Sequence, residues 1–379
     1  MSVQHQSNTQ SATQEVARRG RPWLLVGGCV ALGGLALCIL RLLQAYPERT
    51  ESLFCRGLYP LVRTVLAPVG HLPFSLAEAL LCLALVAVGF GLLRFLRGPR
   101  PGLRLLRWVL ALAGLMLFAF EFSWGFHHAR QPFARHAGWV VQPRSSEELA
   151  DLVAALAREA AVDRGLCLKG RSGSEELAVC FVLRGGPDGD ARLHAAWGRV
   201  AQAYPVLAGR AVCVRQPLSS GLMSALGISG IYSPFTAEAH VNGQVPGTQV
   251  AFVTAHEVAH GRGFAREDEA NFIAYLVCRA SDRASIRYSG SLQALSHARS
   301  ALARSDRGMA EELGGQIDPG VLEDLQRQYR FWRSKETILW EWSSRANDAY
   351  LKSQGQAEGV RSYGRMVDLL LAQRAEQRP

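Results

Sequence analysis

Three runs of apolar residues dominate the first third of the chain: Trp23 to Leu40, Pro73 to Leu93 and Leu105 to Phe122. A helix rises about 1.5 Å per residue and needs about 20 residues to cross a 30 Å hydrocarbon core, so each run with its flanks can span a bilayer. The pattern predicts transmembrane helices at about 23–43, 73–93 and 105–124, making 23–126 a membrane domain. Glu78 and Glu121 lie near the ends of the second and third runs, where a carboxylate costs little. Trp23, Tyr46, Trp108 and Trp124 sit where an aromatic belt would lie. No small-residue cleavage site follows the first run, which Arg41, Leu42 and Leu43 continue, so it reads as a retained span. Residues 1–22 are polar and predict a disordered cytoplasmic tail.

Beyond residue 127 the period changes. Ser145 or Ser146, then Glu147 and Glu148, then Leu149, Leu152, Val153 and Leu156 mark a capped amphipathic helix. Further helices are predicted at about 191–204, 249–260, 267–281, 292–312 and 322–354, with a last amphipathic stretch to about 373. Short runs with valines between turn residues, Leu177 to Leu183 and Ala211 to Val214, predict strands. Ala237 to Val241 reads as an edge strand able to pair with an extended peptide. The fold class is therefore α+β, mostly α, with three N-terminal transmembrane helices ahead of one large domain over 127–379.

Composition supports a mixed membrane and aqueous protein. Apolar residues make up 49% and charged residues 20%, which excludes a disordered polyelectrolyte. The formal charge of +10 is almost all arginine, since the only lysines are Lys169, Lys335 and Lys352. Eight arginines (18, 19, 21, 94, 97, 100, 104 and 107) flank one side of the spans, against six (41, 49, 56, 63, 130 and 135) on the other. The bias places the N-terminus in the cytoplasm and the large domain outside, in a multi-pass protein of the cytoplasmic (inner) membrane. Membrane orientation accounts for the basic balance, and with no recognisable nucleic-acid module none is expected as a partner. Of the eight cysteines none forms a CxxC; Cys167 and Cys180 could pair in an oxidising compartment, or remain thiols like Cys213 and Cys278.

The chemistry concentrates in His256-Glu257-Val258-Ala259-His260, the pattern HExxH. Residues four apart share a helix face, so both imidazoles can meet one ion, and Glu257, about 100° away, can reach a bound water instead. After Gly261 to Ala265, a second helix opens with Glu267, Asp268 and Glu269. Glu267 shares a face with Ala270, Asn271 and Ala274, so Glu267 can complete the zinc shell and Asn271 can orient His260. Glu269, about 160° from that face, is the reserve ligand. The acidic run also reads as a solvated first turn favoured by the helix dipole. Tyr232, His240 or a tyrosine of the C-terminal helices could stabilise a developing oxyanion. His127, His128 and His136 read as interfacial, and Trp332, Trp340 and Trp342 as core.

His256 to Leu276 resembles the gluzincin arrangement, in which HExxH is followed by ExxA[D/N], and is similar there to membrane peptidases of the CAAX prenyl endopeptidase type. Gly227 to Asn242, His256 to Asn271, Tyr350-Leu351-Lys352 and Gly359 to Tyr363 more closely resemble a bacterial membrane family, domain of unknown function 3810 (DUF3810). That resemblance implies a gluzincin-like zinc-peptidase domain behind the three spans. HExxHxxGxxH metzincins are excluded, because their third-ligand position falls on Arg266. The leading expectation is a membrane-anchored zinc metallopeptidase acting on a peptide or protein substrate, with membrane lipid around its spans. The competing expectation is a membrane sensor or scaffold whose zinc site is structural or inactive.

Overall fold

The structure, a computed structural model, describes residues 2–96, 101–169, 186–356, 359 and 364–377. The strand expected at 177–183 and the Cys180 half of the possible pairing lie outside these residues. Helices α1 (Ser2–Ala45), α2 (Leu76–Leu96) and α3 (Pro101–Ser123) contain segments long and apolar enough to cross a membrane, Trp23–Ala45, Leu76–Leu93 and Gly102–Ser123. The polar tail, read from composition as disordered, is helical and continuous with the first span, since an existing helix extends without a new nucleus. The second helix begins later than its apolar run because Ser75 Oγ accepts the Glu78 N–H at 3.1 Å. The first and third helices pack along each other, and Gly114 permits it: a Cβ there would lie 2.3 Å from the Cys29 carbonyl oxygen. Residues 79–93 of α2 are exposed on every side.

The large domain contains α4 (Ser146–Leu168), α5 (Ala191–Ala203), α6 (Ser220–Ala225), α7 (Gly247–Gly261), α8 (Glu267–Arg279), α9 (Ala284–Ser305), α10 (Arg307–Gly314), α11 (Pro319–Arg333), α12 (Ile338–Ser353) and α13 (Met366–Glu376). Helix α4 starts on a full capping box between Ser145 and Glu148. The helix expected at 292–312 is two, because the Asp306 carboxylate accepts the Met309 N–H at 2.9 Å and starts α10 afresh. The stretch expected at 322–354 also divides. Thr337 caps α12 by accepting the Trp340 N–H, and its hydroxyl donates to the Ala225 carbonyl. In both cases a short polar side chain inside an unbroken amphipathic pattern offers the backbone a competing partner.

Four strands, β1 (Gly186–Pro187), β2 (Cys213–Arg215), β3 (Gly230–Ser233) and β4 (Glu238–Val241), form one sheet in the order β1-β2-β4-β3. The β2/β4 pair is parallel and the other two are antiparallel. Strand β4, expected at the edge, is interior, and the edge beside α7 is β3. The alternation of Glu238 and His240 with Ala239 and Val241 in β4 resembles a half-exposed edge, yet all four residues are buried because Leu76, Ala77, Arg215 and Ser75 cover the polar face.

The segments flanking the spans reach into this domain. Glu51 accepts two hydrogen bonds from Arg130, at 2.8 and 3.0 Å, and one from Arg56, with His136 at 3.5 Å. Arg130 also donates to the Gly263 carbonyl at 2.8 Å and lies over the Phe264 ring at 3.9 Å. Arg63 and Tyr59 donate to the Gly261 carbonyl. The turn leaving α7 is therefore gripped both by the segment between the first two apolar helices and by the segment just after the third.

Burial alone would raise the Glu51 carboxyl, but hydrogen bonds from His136 and Arg130 and the Arg130 charge hold it well below the usual range. A depressed carboxyl contributes stability that is complete above the unfolded value of 4.5 and is lost as pH falls through the folded value. Glu51→Ala strands a buried arginine and should cost about 3–5 kcal/mol near pH 7. The deficit should shrink in acid, which denaturation midpoints of both proteins at about pH 7 and about pH 3 would show. A deficit that stays constant or grows in acid would contradict the assignment.

Candidate metal centre

Apolar Val250 to Ala255 bury α7 and present His256 and His260 on one face, with ring centroids 4.5 Å apart. The helix ends in a wrapped turn: Arg262 N–H reaches Val258 O, Gly263 N–H reaches His260 O and Phe264 N–H reaches Ala259 O. Gly263 has φ +85°, and a Cβ there would also lie 2.9 Å from the His127 ring, so the position requires glycine twice over. This tight reversal brings the first residue of α8 back beside the histidines.

Glu267 Oε2 lies 3.2 Å from His256 Nε2 and 3.5 Å from His260 Nε2, yet makes no aligned hydrogen bond. The three atoms converge, all within 4.8 Å of one another, as ligands do around an ion. Two imidazole nitrogens and a carboxylate oxygen make a donor set suited to a divalent transition metal. His260 Nδ1 lies 2.7 Å from the Phe264 carbonyl; donating its proton there leaves Nε2 with a lone pair toward the centre. The Phe264 carbonyl thus orients the His260 ring. Asn271 lines a cavity of about 320 Å³ beside His256, together with Gln249, Phe252, Gln293, Trp332 and Trp340. The two tryptophans, expected in the core, wall this cavity, while Trp342 is 68% exposed.

Glu257 is buried beside the cluster, and its Oε2 has no hydrogen-bond partner. Gly230 of β3 closes over it: a Cβ at that position would lie 2.5 Å from Glu257 Oε1. Burial pushes the Glu257 carboxyl up, against the opposing pull of His256 and His260 and with the Glu267 charge adding to the rise. Glu269, the reserve ligand, points away. Its carboxylate accepts the Phe133 N–H at 2.7 Å, and burial raises it to about 6 despite Arg266.

The two sequence candidates for substrate contact are turned elsewhere. Tyr232 shares a 3.1 Å hydrogen bond with Tyr59, and His240 Nε2 lies 2.8 Å from Ser75 Oγ at the start of α2. Of the C-terminal tyrosines, Tyr350 of α12 lies beside the region between α3 and the cluster. Tyr350 Oη lies 3.0 Å from His128 Nε2, and its pKa is driven well up by burial, with the Glu121 and Glu267 charges adding. Burial pushes His128 down to about 3 although Glu267 opposes it, so at neutral pH the pair is uncharged. His127 and His128, expected at the membrane surface, are both packed behind the cluster: His127 is fully buried against Tyr59, and the Trp124 ring stands 5.2 Å from His260. The only sequence signal for Tyr350 is the Tyr350-Leu351-Lys352 triplet, which carries no chemistry by itself.

Glu267→Ala should sharply lower the metal content of the purified protein. At equal folded fraction, Glu269→Ala should leave metal content nearly intact while losing about 1–3 kcal/mol of stability through the unpaired Phe133 N–H. Metal analysis of both variants checks this, and loss of metal in Glu269→Ala with retention in Glu267→Ala would reverse the ligand assignment.

A family model described as a protein of unknown function, DUF3810, matches residues 54–371. No curated protein and no solved structure matches the chain. The match takes in the loop that grips the α7 turn, both later spans, the metal centre and Tyr350, and on that extent the chain belongs to the DUF3810 family.

Proposed function

We propose that the protein is a membrane-anchored zinc-dependent metallopeptidase. The observation that carries this reading is the convergence of His256, His260 and Glu267, whose ligand atoms lie within 4.8 Å of one another, beside Glu257, whose Oε2 has no hydrogen-bond partner. Among the described residues the cluster offers three ligands, which leaves a coordination position open, as hydrolysis requires and a structural site does not. Zinc held there supplies a Lewis acid that lowers the pKa of water to about 7 and polarises a carbonyl. Glu257 takes the proton of the attacking water and passes it to the departing amine. Tyr350, whose hydroxyl lies 3.0 Å from His128 Nε2, is the donor this reading assigns to the oxyanion. Trp332, Trp340 and Phe252 line an apolar flank of the cavity beside His256 that a substrate side chain could occupy.

The 46–75 segment between the first two apolar helices packs on the domain that follows the third, through Tyr59 and Arg63 on the Gly261 carbonyl, as three crossings require of two segments on one side. With the arginine bias, this reading puts the centre on the extracytoplasmic face of the inner membrane. A reporter fused after Gln373 should be exported and one placed in the 97–104 connection cytoplasmic; the opposite pattern would move the site to the cytoplasm.

Glu257→Gln preserves shape but cannot accept a proton. It should keep zinc and lose at least about 10²-fold in cleavage of a peptide library. Undiminished cleavage, or loss of zinc along with activity, would defeat the role given to Glu257.

A further inference from the structure

We infer that the substrate is a membrane-anchored polypeptide cut within a few residues of the bilayer surface, an inference that rests on the peptidase reading above. The first observation is the height of the metal centre. Ser123 ends a 22-residue apolar segment, about 33 Å of helix at 1.5 Å per residue, which matches a hydrocarbon core of about 30 Å. The next residue, Trp124, stands with its ring centroid 5.2 Å from that of His260. Phe120, one turn back in the span, meets the Tyr350 ring at 5.7 Å. The ligands therefore lie on the order of 10 Å from the end of the span, the reach of about three extended residues.

The second observation is the orientation of the sheet. Glu238 accepts the Leu76 and Ala77 N–H groups at 3.1 and 2.8 Å, and Glu78 accepts those of Leu218 and Ser219 at 3.1 and 2.9 Å. The face of β4 that carries Glu238 and His240 is thus fastened to the end of the second span. Ile231 pairs directly with His240 and so shares that face. It is 50% exposed, as is Phe74 at 51%, while Leu218 is 98% exposed. Three bare apolar side chains around the mouth of a span belong against lipid.

The third observation is what the edge strand leaves open. Ser229 O accepts the Asn242 N–H, so by the alternation of an antiparallel ladder Ser229 and Ile231 bond inward to β4. The backbone groups of Gly230 and Tyr232 face the open side, and Gly230 is the residue resting on Glu257. A chain leaving the bilayer beside α2, whose residues 79–93 are all exposed, passes the Ile231 face and reaches an unpaired edge at the catalytic carboxylate. A free aqueous peptide gains nothing from the apolar face, whereas a juxtamembrane segment arrives already aligned with it.

The test uses full-length, zinc-loaded protein reconstituted in liposomes with a library of randomised ten-residue segments in three presentations. One follows a single apolar span directly, one follows the same span after a Gly/Ser spacer of about 25 residues with a reach of about 25–30 Å, and one is free in solution. Anchoring concentrates both span-bearing forms equally, so the spacer isolates distance from the membrane. Products are read by mass spectrometry against a Glu257→Gln background. The inference predicts at least about tenfold more cleavage in the direct form than in either other form, with cuts within about five residues of the span. Equal cleavage of the free or spaced segments would overturn it while leaving the peptidase intact. Absence of Glu257-dependent products in all three presentations would overturn both.

Discussion

The contact on which the metal centre depends is the one between His260 Nδ1 and the Phe264 carbonyl. It fixes the tautomer of the imidazole and so the direction of the Nε2 lone pair, and it exists only because the chain reverses within four residues. That reversal needs glycine at 263 and an external grip on carbonyls that no longer have a place in the helix. Arg63 and Tyr59 take the Gly261 carbonyl, and Arg130 takes that of Gly263. The same reversal sets Glu267 at the first position of α8, where one side-chain length returns its carboxylate to the histidines.

Those gripping residues lie in segments that flank the apolar helices. Tyr59 and Arg63 lie between the first two spans, and Arg130 lies just beyond the third, anchored through Glu51. Trp124 extends the third span into van der Waals range of His260, and Glu238 caps the second. The geometry of the candidate metal centre is thus tied to segments that flank all three apolar helices.

Much of this was legible in the sequence wherever the signal is local. Three apolar runs of spanning length, a capping box at Ser145, an i, i+4 histidine pair and a glutamate on the right face of the next helix all follow from spacing a few residues long. The failures have a common cause in distance along the chain. Glu51 and Arg130 are 79 residues apart and Arg63 and Gly261 are 198 apart, and no periodicity records such pairings. The interior place of β4, the cleft position of Trp332 and Trp340 and the arrival of Tyr350 are tertiary facts of the same kind. The overlong helices fail differently: Asp306 and Thr337 fit an amphipathic repeat as surface residues, and only their backbone partners reveal them as caps.

The proposed peptidase activity requires an open zinc site at His256, His260 and Glu267 rather than a closed structural one. Zinc-edge X-ray absorption on the full-length protein in detergent measures this directly. The predicted shell is two imidazole nitrogens at about 2.0–2.1 Å, one carboxylate and one exchangeable oxygen from water. A shell completed by a fourth protein ligand, or a protein that binds no zinc, would contradict it.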